Sequence, residues 1–170
     1  MDRRGCGVSG DFGEHARPPE PSVIRDATAA DLPRLIELYA TLAADPGQEQ
    51  VGDTPAREYV RAFAGVSADP RQRLLVIEGG GRVVGTIVLV LLPNLSRRGR
   101  PYAIVENVVV DETERGRGYG AALMGYAIEE ARKAGCYKIA LTSRLHRSEA
   151  HRFYESLGFT AESKGFRLAL

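Results

Sequence analysis

The sequence is poor in cysteine and histidine, and it has neither an excess of one charge nor a long apolar run. Its 170 residues include two cysteines, three histidines, 23 basic and 22 acidic residues, and no apolar run longer than the six residues 87–92. Two cysteines cannot form a disulfide framework, and no histidine stands near them at metal-ligand spacing, so we expect no metal site. Six apolar residues are far fewer than the roughly 20 that cross a bilayer. A net charge of +1 gives no uniform field that would favour nucleic acid or a membrane.

The first 22 residues differ in composition from the rest of the chain. They contain four glycines and end in a proline-rich stretch with few large apolar side chains, so we expect residues 1–22 to be a disordered tail. They also lack the apolar region of a secretory signal. The low number of cysteines in the whole chain suits a reducing compartment, and we therefore expect a cytoplasmic protein. Residues 23–170 have the length of a single domain and suffice to bury a core.

Two helices are predicted in the first part of this domain. Apolar residues recur at helical spacing over residues 29–43, and Thr28 followed by Asp31 is a helix-start signal. A second helix is expected to begin with Thr54 as its N-cap and Pro55 at its first position. The segment between the two helices is polar and is expected to be a loop.

Strands dominate the next part of the chain. Residues 23–25 predict a short first strand, and two β-branched runs over 74–78 and 83–92, joined by a glycine turn, predict an antiparallel hairpin. Residues 102–110 predict the strand that follows. These sequential strands are therefore expected to form an antiparallel meander.

In the C-terminal part, a crossover helix joins two strands, which must therefore be parallel. The predicted elements are a helix from Gly120 to Gly135, a strand over 137–142, a helix from Ser148 to Gly158, and closing strands over 159–161 and 166–170. The fold class is α/β with a mixed sheet in which the antiparallel strands come first.

Glycine is in excess, at 19 of 170 residues against a usual share of roughly 7%. Gly116, Gly118 and Gly120 alternate where the strand over 102–110 leads into the next helix, and glycine allows positive φ and close approach of a ligand to the backbone. The helix N-terminus adds free N–H groups and partial positive charge, and Arg115 and Arg117 add more. The loop therefore predicts an anion site that suits a pyrophosphate. A tight turn with surface arginines is the alternative.

Two common phosphate-binding patterns fit this loop poorly. No Lys-Ser or Lys-Thr pair follows the glycines, so the nucleotide-triphosphate loop is excluded. Residues 116–121 formally match the dinucleotide fingerprint. That fingerprint, however, belongs to a first strand–helix unit and needs an acidic residue after the next strand, and residues 137–144 supply none.

The loop and a second motif resemble the GNAT superfamily of N-acetyltransferases. Arg115-x-x-Gly118-x-Gly120 matches the superfamily's Q/R-x-x-G-x-G/A signature, and residues 150–159 match the A-x-x-F-Y-x-x-x-G-F pattern of its final helix. The resemblance extends over residues 23–170. It implies a mixed, mostly antiparallel sheet of six to seven strands flanked by about four helices. In that fold the parallel fourth and fifth strands splay apart to bind acetyl-CoA.

The resemblance also implies the roles of individual residues. Amides of the glycine loop would hold the pyrophosphate, and the fourth strand would pair with the pantetheine amides like an added strand. One of those N–H groups would polarise the thioester carbonyl, as in an oxyanion hole. The candidate cofactor-binding residues are Val108, Val109, Val110, Arg115, Gly116, Arg117, Gly118, Tyr119, Gly120 and Ala121.

Two residues are candidates for the proton transfers that amide formation requires, since an amine attacks only when neutral and the leaving thiolate benefits from a donor. Tyr154 occupies the position of the superfamily's usual acid, with core packing as the alternative. Glu106 interrupts an apolar strand and is the candidate base, acting through water, with an exposed or salt-bridged carboxylate as the alternative. Strand alternation places Glu106 on the same face as Val108 and Val110, unless a bulge intervenes.

The predicted function is transfer of an acetyl group from acetyl-CoA to a primary amine of a small molecule, or of a peptide, by direct attack in a ternary complex. A CoA-binding regulatory module without turnover is one alternative, and a dinucleotide-binding module is another. Neither a metal cofactor nor nucleic acid nor a membrane is expected. The sequence does not decide whether the chain forms a homodimer, as many members of the superfamily do.

The acceptor is the least determined part of the prediction. The resemblance implies that residues 39–59 and loops near the sheet end select it. Residues 106–110 and 135–139 also look like glucosamine-6-phosphate N-acetyltransferases, and the basic loop 97–100 could serve a phosphate or be solvated surface. Residues 143–151 depart from that subfamily.

Overall fold

The computed structural model describes residues 18–19, 21–42 and 47–168. Five strands and four α-helices are found in these residues, together with three short 3-10 turns. The strands are β1 (Ser22–Asp26), β2 (Gln72–Gly79), β3 (Arg82–Leu92), β4 (Tyr102–Val110) and β5 (Ile139–Leu141), and the helices are α1 (Leu32–Ala40), α2 (Arg57–Ala68), α3 (Tyr119–Lys133) and α4 (Ser148–Ser156).

The strands form one sheet in sequence order. The pairs from β1 to β4 are antiparallel, and β5 runs parallel to β4. The mixed sheet, the meander and the parallel pair that α3 connects are therefore confirmed. The pairing of β4 with β5 ends at Val105 and Leu141, although β4 continues to Val110. We call the gap beyond this last pair the wedge.

Helices cover both faces of the sheet. On one face, α3 contributes Leu123 and Met124 to a cluster that also holds Ile87 and Val105, and Tyr154 of α4 packs against it. We call this the α3 face. On the opposite face, the α1 face, Leu35 and Leu38 pack against strand residues that include Val76 and Val109. The sheet thus divides the core into two parts. The wedge, as a gap between two strands of this sheet, lies between them.

The helix-start signal before α1 is confirmed. The backbone N–H of Thr28 donates to the Asp31 carboxylate at 2.7 Å, and its hydroxyl donates to the same oxygen at 2.9 Å. A 3-10 turn over Ala29–Asp31 precedes the α-helical part, which ends at Ala40. Arg25 of β1 also donates to Asp31, so that this helix start is tied to the edge of the sheet.

The predicted start of the second helix is wrong. Ala56 is extended, with φ −62° and ψ 154°, and is itself the N-cap of α2, which begins at Arg57. Thr54 therefore stands three residues before the first helical residue, too far to cap the N2 or N3 amide. Pro55 likewise lies outside the helix.

Differences at the C-terminal end concern the extent of the sheet. β5 covers three residues instead of 137–142, because the chain leaves β4 after Leu141. Residues 159–168 form no strand, so the described sheet has five strands rather than six or seven. Phe166 and Leu168 are accordingly 90% and 84% exposed. The last two residues of the predicted closing strand over 166–170 lie outside the described residues.

Most of the predicted N-terminal tail, and part of the loop after α1, lies outside the described residues. Ser22, which the prediction placed in the tail, is the first residue of β1. Within the described ranges, no helix combines the length and the apolar composition needed to cross a membrane.

Candidate active site

The glycine loop between β4 and α3 presents a run of free backbone amides. Gly116 and Gly118 have φ of +75° and +84°, values that favour glycine. The first N–H groups of α3 have no partner within the helix. The first of them that donates a hydrogen bond is the N–H of Ala122, which donates to the Gly118 oxygen at 3.0 Å. Over residues 116–121 no amide donates to an acceptor in the described part of the chain. The loop thus has the geometry of an anion site.

The arginine side chains of this loop are paired within it. Arg115 contacts Glu112 at 3.3 Å, and Arg117 donates to Glu114 while lying over the Tyr119 ring. Both guanidinium groups are therefore at least partly neutralised by carboxylates of the same loop. The positive potential that a bound anion would meet comes first from the backbone amides and the N-terminus of α3.

Asp111 anchors the loop to the rest of the fold. Its carboxylate accepts hydrogen bonds from the hydroxyl and the N–H of Thr113 at 2.7 and 2.9 Å, and from Arg34 of α1 and Arg82 of β3. These bonds, with those from Thr113 the largest cause, hold the pKa of Asp111 well below its usual range. Sequence reasoning missed this residue, because its partners lie 77 and 29 positions away.

Two predicted cofactor-binding residues also have packing roles. Tyr119 is 3% exposed, and its hydroxyl lies against Gly79 of β2. A Cβ at Gly120 would lie 3.4 Å from Cζ of Phe153 and 3.6 Å from Cγ2 of Val110. Gly120 therefore lets α4 approach the start of α3, and it does not share the positive φ of the other two glycines.

A β-bulge interrupts β4 at Asn107, whose φ is +52°. Glu106 pairs with Val88, whereas Val109 pairs with Thr86, so β4 has one more residue than β3 between these pairs. The extra residue reverses the alternation of side chains along the rest of β4.

The bulge places Glu106 on the face opposite to its predicted neighbours. Val105 packs on the α3 face, so Glu106, the next residue, points to the α1 face. Beyond the bulge, Val108 and Val110 pack on the α3 face and Val109 on the α1 face. The expectation that Glu106 shares a face with Val108 and Val110 is therefore wrong. Its carboxylate is exposed, and no salt bridge to it is found in the described residues.

Tyr154 of α4 packs against the apolar cluster of the α3 face, which includes Val105 of β4. Its ring lies between Phe153 and Phe159, at centroid distances of 5.2 and 6.1 Å. Burial raises the pKa of Tyr154, the nearby Arg147 opposes that shift, and the charge of Glu106 adds to it. Within the described chain, the Tyr154 hydroxyl makes no hydrogen bond.

No metal centre is found in the part of the chain that the structure describes, since no three His, Cys, Asp or Glu side chains are grouped there to hold an ion. The basic loop of residues 97–100 stands before β4, at the opposite end of that strand from the glycine loop. There, Arg97 lies over the Tyr137 ring at 5.6 Å, and Arg100 donates to the Gly135 and Cys136 oxygens.

Comparisons with known proteins agree with the fold and the motifs. The sequence model of the acetyltransferase (GNAT) family matches residues 34–159. A glucosamine 6-phosphate N-acetyltransferase of Trypanosoma brucei brucei is 38% identical over 109 residues, which cover 61% of this chain and 72% of that protein. An aminoalkylphosphonate N-acetyltransferase of Salmonella typhimurium is 34% identical over 108 residues, 64% of this chain and 70% of that protein.

A solved structure extends the agreement to almost the whole described fold. A putative acetyltransferase from Agrobacterium tumefaciens superposes with a TM-score of 0.78 at 40% identity, covering 87% of this chain and 99% of that one. The residues that the family model matches include the glycine loop, the bulged strand and the helix of Tyr154. The chain therefore belongs to the GNAT family of N-acetyltransferases.

Proposed function

We propose that this enzyme transfers an acetyl group from acetyl-CoA to the primary amine of a small molecule by direct attack in a ternary complex. The observation that carries the proposal is the run of free amides over residues 116–121, placed beside the wedge. These amides and the N-terminus of α3 suit the pyrophosphate of CoA.

The wedge suits the pantetheine arm. β5 ends at Leu141, so the edge of β4 from Glu106 to Val110 has no strand partner on that side within the described residues. An extended chain with amide groups can bond to such an edge as an added strand, with Val108 and Val110 as the expected partners. An unpaired N–H near the bulge would polarise the thioester carbonyl.

The two proton transfers are assigned to opposite sides of the wedge. Glu106, exposed on the α1 face, takes the ammonium proton through a water molecule, and the neutral amine attacks the thioester carbon. Collapse of the tetrahedral intermediate breaks the carbon–sulfur bond, and Tyr154 donates its proton to the leaving thiolate. The second amine proton leaves the nitrogen as the amide forms and restores the Tyr154 phenol, and Glu106 passes its proton to solvent. Burial supports this role of Tyr154, because the raised pKa keeps the phenol protonated at neutral pH.

Acetyl-CoA binding and turnover test the proposal separately. Titration with acetyl-CoA should raise the Tm of the protein, as expected for a ligand of the folded state. Release of CoA thiol should then appear with members of a panel of aminosugars, polyamines, amino acids, aminoglycosides and peptides. No Tm shift at millimolar acetyl-CoA would refute CoA binding, whereas a shift without turnover on a broad panel would favour a regulatory module.

The Tyr154→Phe variant tests the assignment of the acid. It keeps the ring that packs between Phe153 and Phe159 and removes the hydroxyl alone. We expect kcat to fall about 100-fold, within the usual range for general acid catalysis, with little change in the Kd of acetyl-CoA. Equal kcat in the variant and the wild type would remove Tyr154 from the mechanism.

A phosphorylated amine is the second candidate for the acceptor. Both curated relatives reported above are named for acceptors that join an amine to a phosphate or phosphonate group. We propose a glucosamine-6-phosphate-like aminosugar as the member of this class to test first. Comparison of kcat/KM for glucosamine 6-phosphate and glucosamine decides it, since equal values would show that the phosphate is not recognised.

A further inference from the structure

The Ser143 hydroxyl is a buried polar group without a partner. In the described part of the chain it is the one buried side-chain oxygen or nitrogen that makes no hydrogen bond. Its neighbours Thr142 and Arg144 are exposed, so the chain turns this side chain inward and the two beside it outward. A buried hydroxyl without a hydrogen-bond partner lowers the free energy of unfolding, and natural proteins contain few such groups.

Ser143 follows directly on the end of β5, where the wedge begins. The last pair between the parallel strands joins Val105 to Leu141. Two residues further along each chain stand Asn107, the bulged residue of β4, and Ser143. Counted from that last pair, Ser143 stands at the same position along its chain as the bulge does along β4, where the thioester is proposed to bind.

No structural role within the fold accounts for this hydroxyl. Ser143 does not cap α4, which begins at Ser148 with Arg147 at its N-cap position. The turn before that helix is closed by other groups, because the Arg147 N–H donates to the Arg144 oxygen at 3.0 Å and His151 contacts the same oxygen at 3.0 Å. The hydrogen-bonding capacity of this hydroxyl is therefore unused within the fold.

We propose that Ser143 is an acyl-CoA-binding residue whose hydroxyl hydrogen-bonds to the pantetheine amide nearest the thioester. The inference rests on the proposed function, since it needs the CoA arm to lie in the wedge. The arm offers amide N–H and C=O groups, either of which a serine hydroxyl can pair with. The bond forms in the ground state and so contributes to affinity more than to kcat.

The Ser143→Ala variant gives this proposal two opposite readouts. Removal of an unmet hydroxyl should leave the Tm of the ligand-free protein unchanged or higher. Loss of the bond to the arm should raise the Kd of acetyl-CoA about three- to tenfold, the range for one neutral hydrogen bond, with kcat at saturation within about twofold of wild type. Ser143→Thr, which keeps the hydroxyl, should recover most of the affinity. Ser67→Ala, at an exposed position of α2, is the matched control and should change neither value.

Calorimetric titration with acetyl-CoA separates failure of this inference from failure of the proposed function. If the wild type does not bind acetyl-CoA, the proposed function is wrong. If the wild type binds and Ser143→Ala binds equally well, the function stands and the role of Ser143 is refuted. A lower Tm in Ser143→Ala with unchanged Kd, or a weaker affinity that Ser143→Thr does not restore, would show a packing role and would also refute it.

Discussion

The contact between Gly79 and Tyr119 gives the most direct test of how the sheet positions the glycine loop. Gly79 ends β2, and Tyr119 begins α3 with its ring 3% exposed. A Cβ at Gly79 would lie 2.2 Å from the Tyr119 hydroxyl oxygen and 2.7 and 2.9 Å from Cζ and Cε1 of its ring. None of these distances is tolerated, so Gly79→Ala must displace the ring or the strand.

The expected size of the effect follows from this overlap. Overpacking of a core costs about 1–3 kcal/mol, and for a protein of 150–250 residues each kcal/mol lowers the Tm by about 2–4 °C, so the Tm should fall by about 2–12 °C. The ring is joined to the first backbone amide of α3, and displacement of that amide should misplace the free N–H groups. We therefore expect the Kd of acetyl-CoA to rise about tenfold or more.

Gly80→Ala is the control for stability alone. Gly80 stands in the same turn with φ +59°, so alanine is strained there, but nothing lies within 4 Å of the added Cβ. This variant should lower the Tm without a change in the Kd of acetyl-CoA. Differential scanning fluorimetry and calorimetric titration measure both quantities. The reasoning is refuted if Gly79→Ala binds acetyl-CoA as tightly as Gly80→Ala does.

Two further predictions concern titrating groups. Hydrogen bonds from Arg25, the largest cause, lower the pKa of Asp31 from 3.8 to about 2. This shift corresponds to about 2 kcal/mol of folding stability. The stabilisation is present above pH 4 and is lost as the pH falls toward 2. In urea unfolding, Asp31→Asn should therefore lower the free energy of unfolding by about that much at pH 7 and by little at pH 2. An equal loss at both pH values would contradict the link between the ionisation of Asp31 and stability. Burial raises the pKa of Tyr154, and the charge of Arg147 opposes that shift. Arg147→Gln should therefore move the alkaline limb of the kcat profile to higher pH, and an unchanged limb would show that it does not report the ionisation of Tyr154.

Local patterns in the sequence predict much of this fold. The apolar runs of the hairpin, the Thr28–Asp31 start of α1 and the bounds of β4 all depend on neighbouring residues, and the structure confirms them. The start of α2 depends on the extended conformation of Ala56, which no local propensity specifies. The short β5 likewise depends on where two distant segments cease to pair.

The candidate site also combines features that neighbouring residues determine with features that depend on distant parts of the chain. The glycine motif predicts the loop, because positive φ and a helix start are local properties. The face of Glu106 could not be predicted by alternation, because an asparagine with positive φ inserts one extra residue into the strand. The anchoring of Asp111 by Arg34 and the unmet hydroxyl of Ser143 need the tertiary structure, since both depend on groups far apart in the chain.

The bulge at Asn107 has a consequence for inhibitor chemistry. It turns Glu106 to the α1 face, while Val108, Val110 and Tyr154 pack on the α3 face. In the proposed reaction the donor and the acceptor therefore enter from opposite sides of the sheet and meet only at the wedge. A preformed conjugate of CoA with an amine would have to thread one of its halves through that gap. Such conjugates should bind slowly when added whole. They should form faster in place, when the bound amine displaces the halide of a haloacetyl-CoA and leaves the thioester intact.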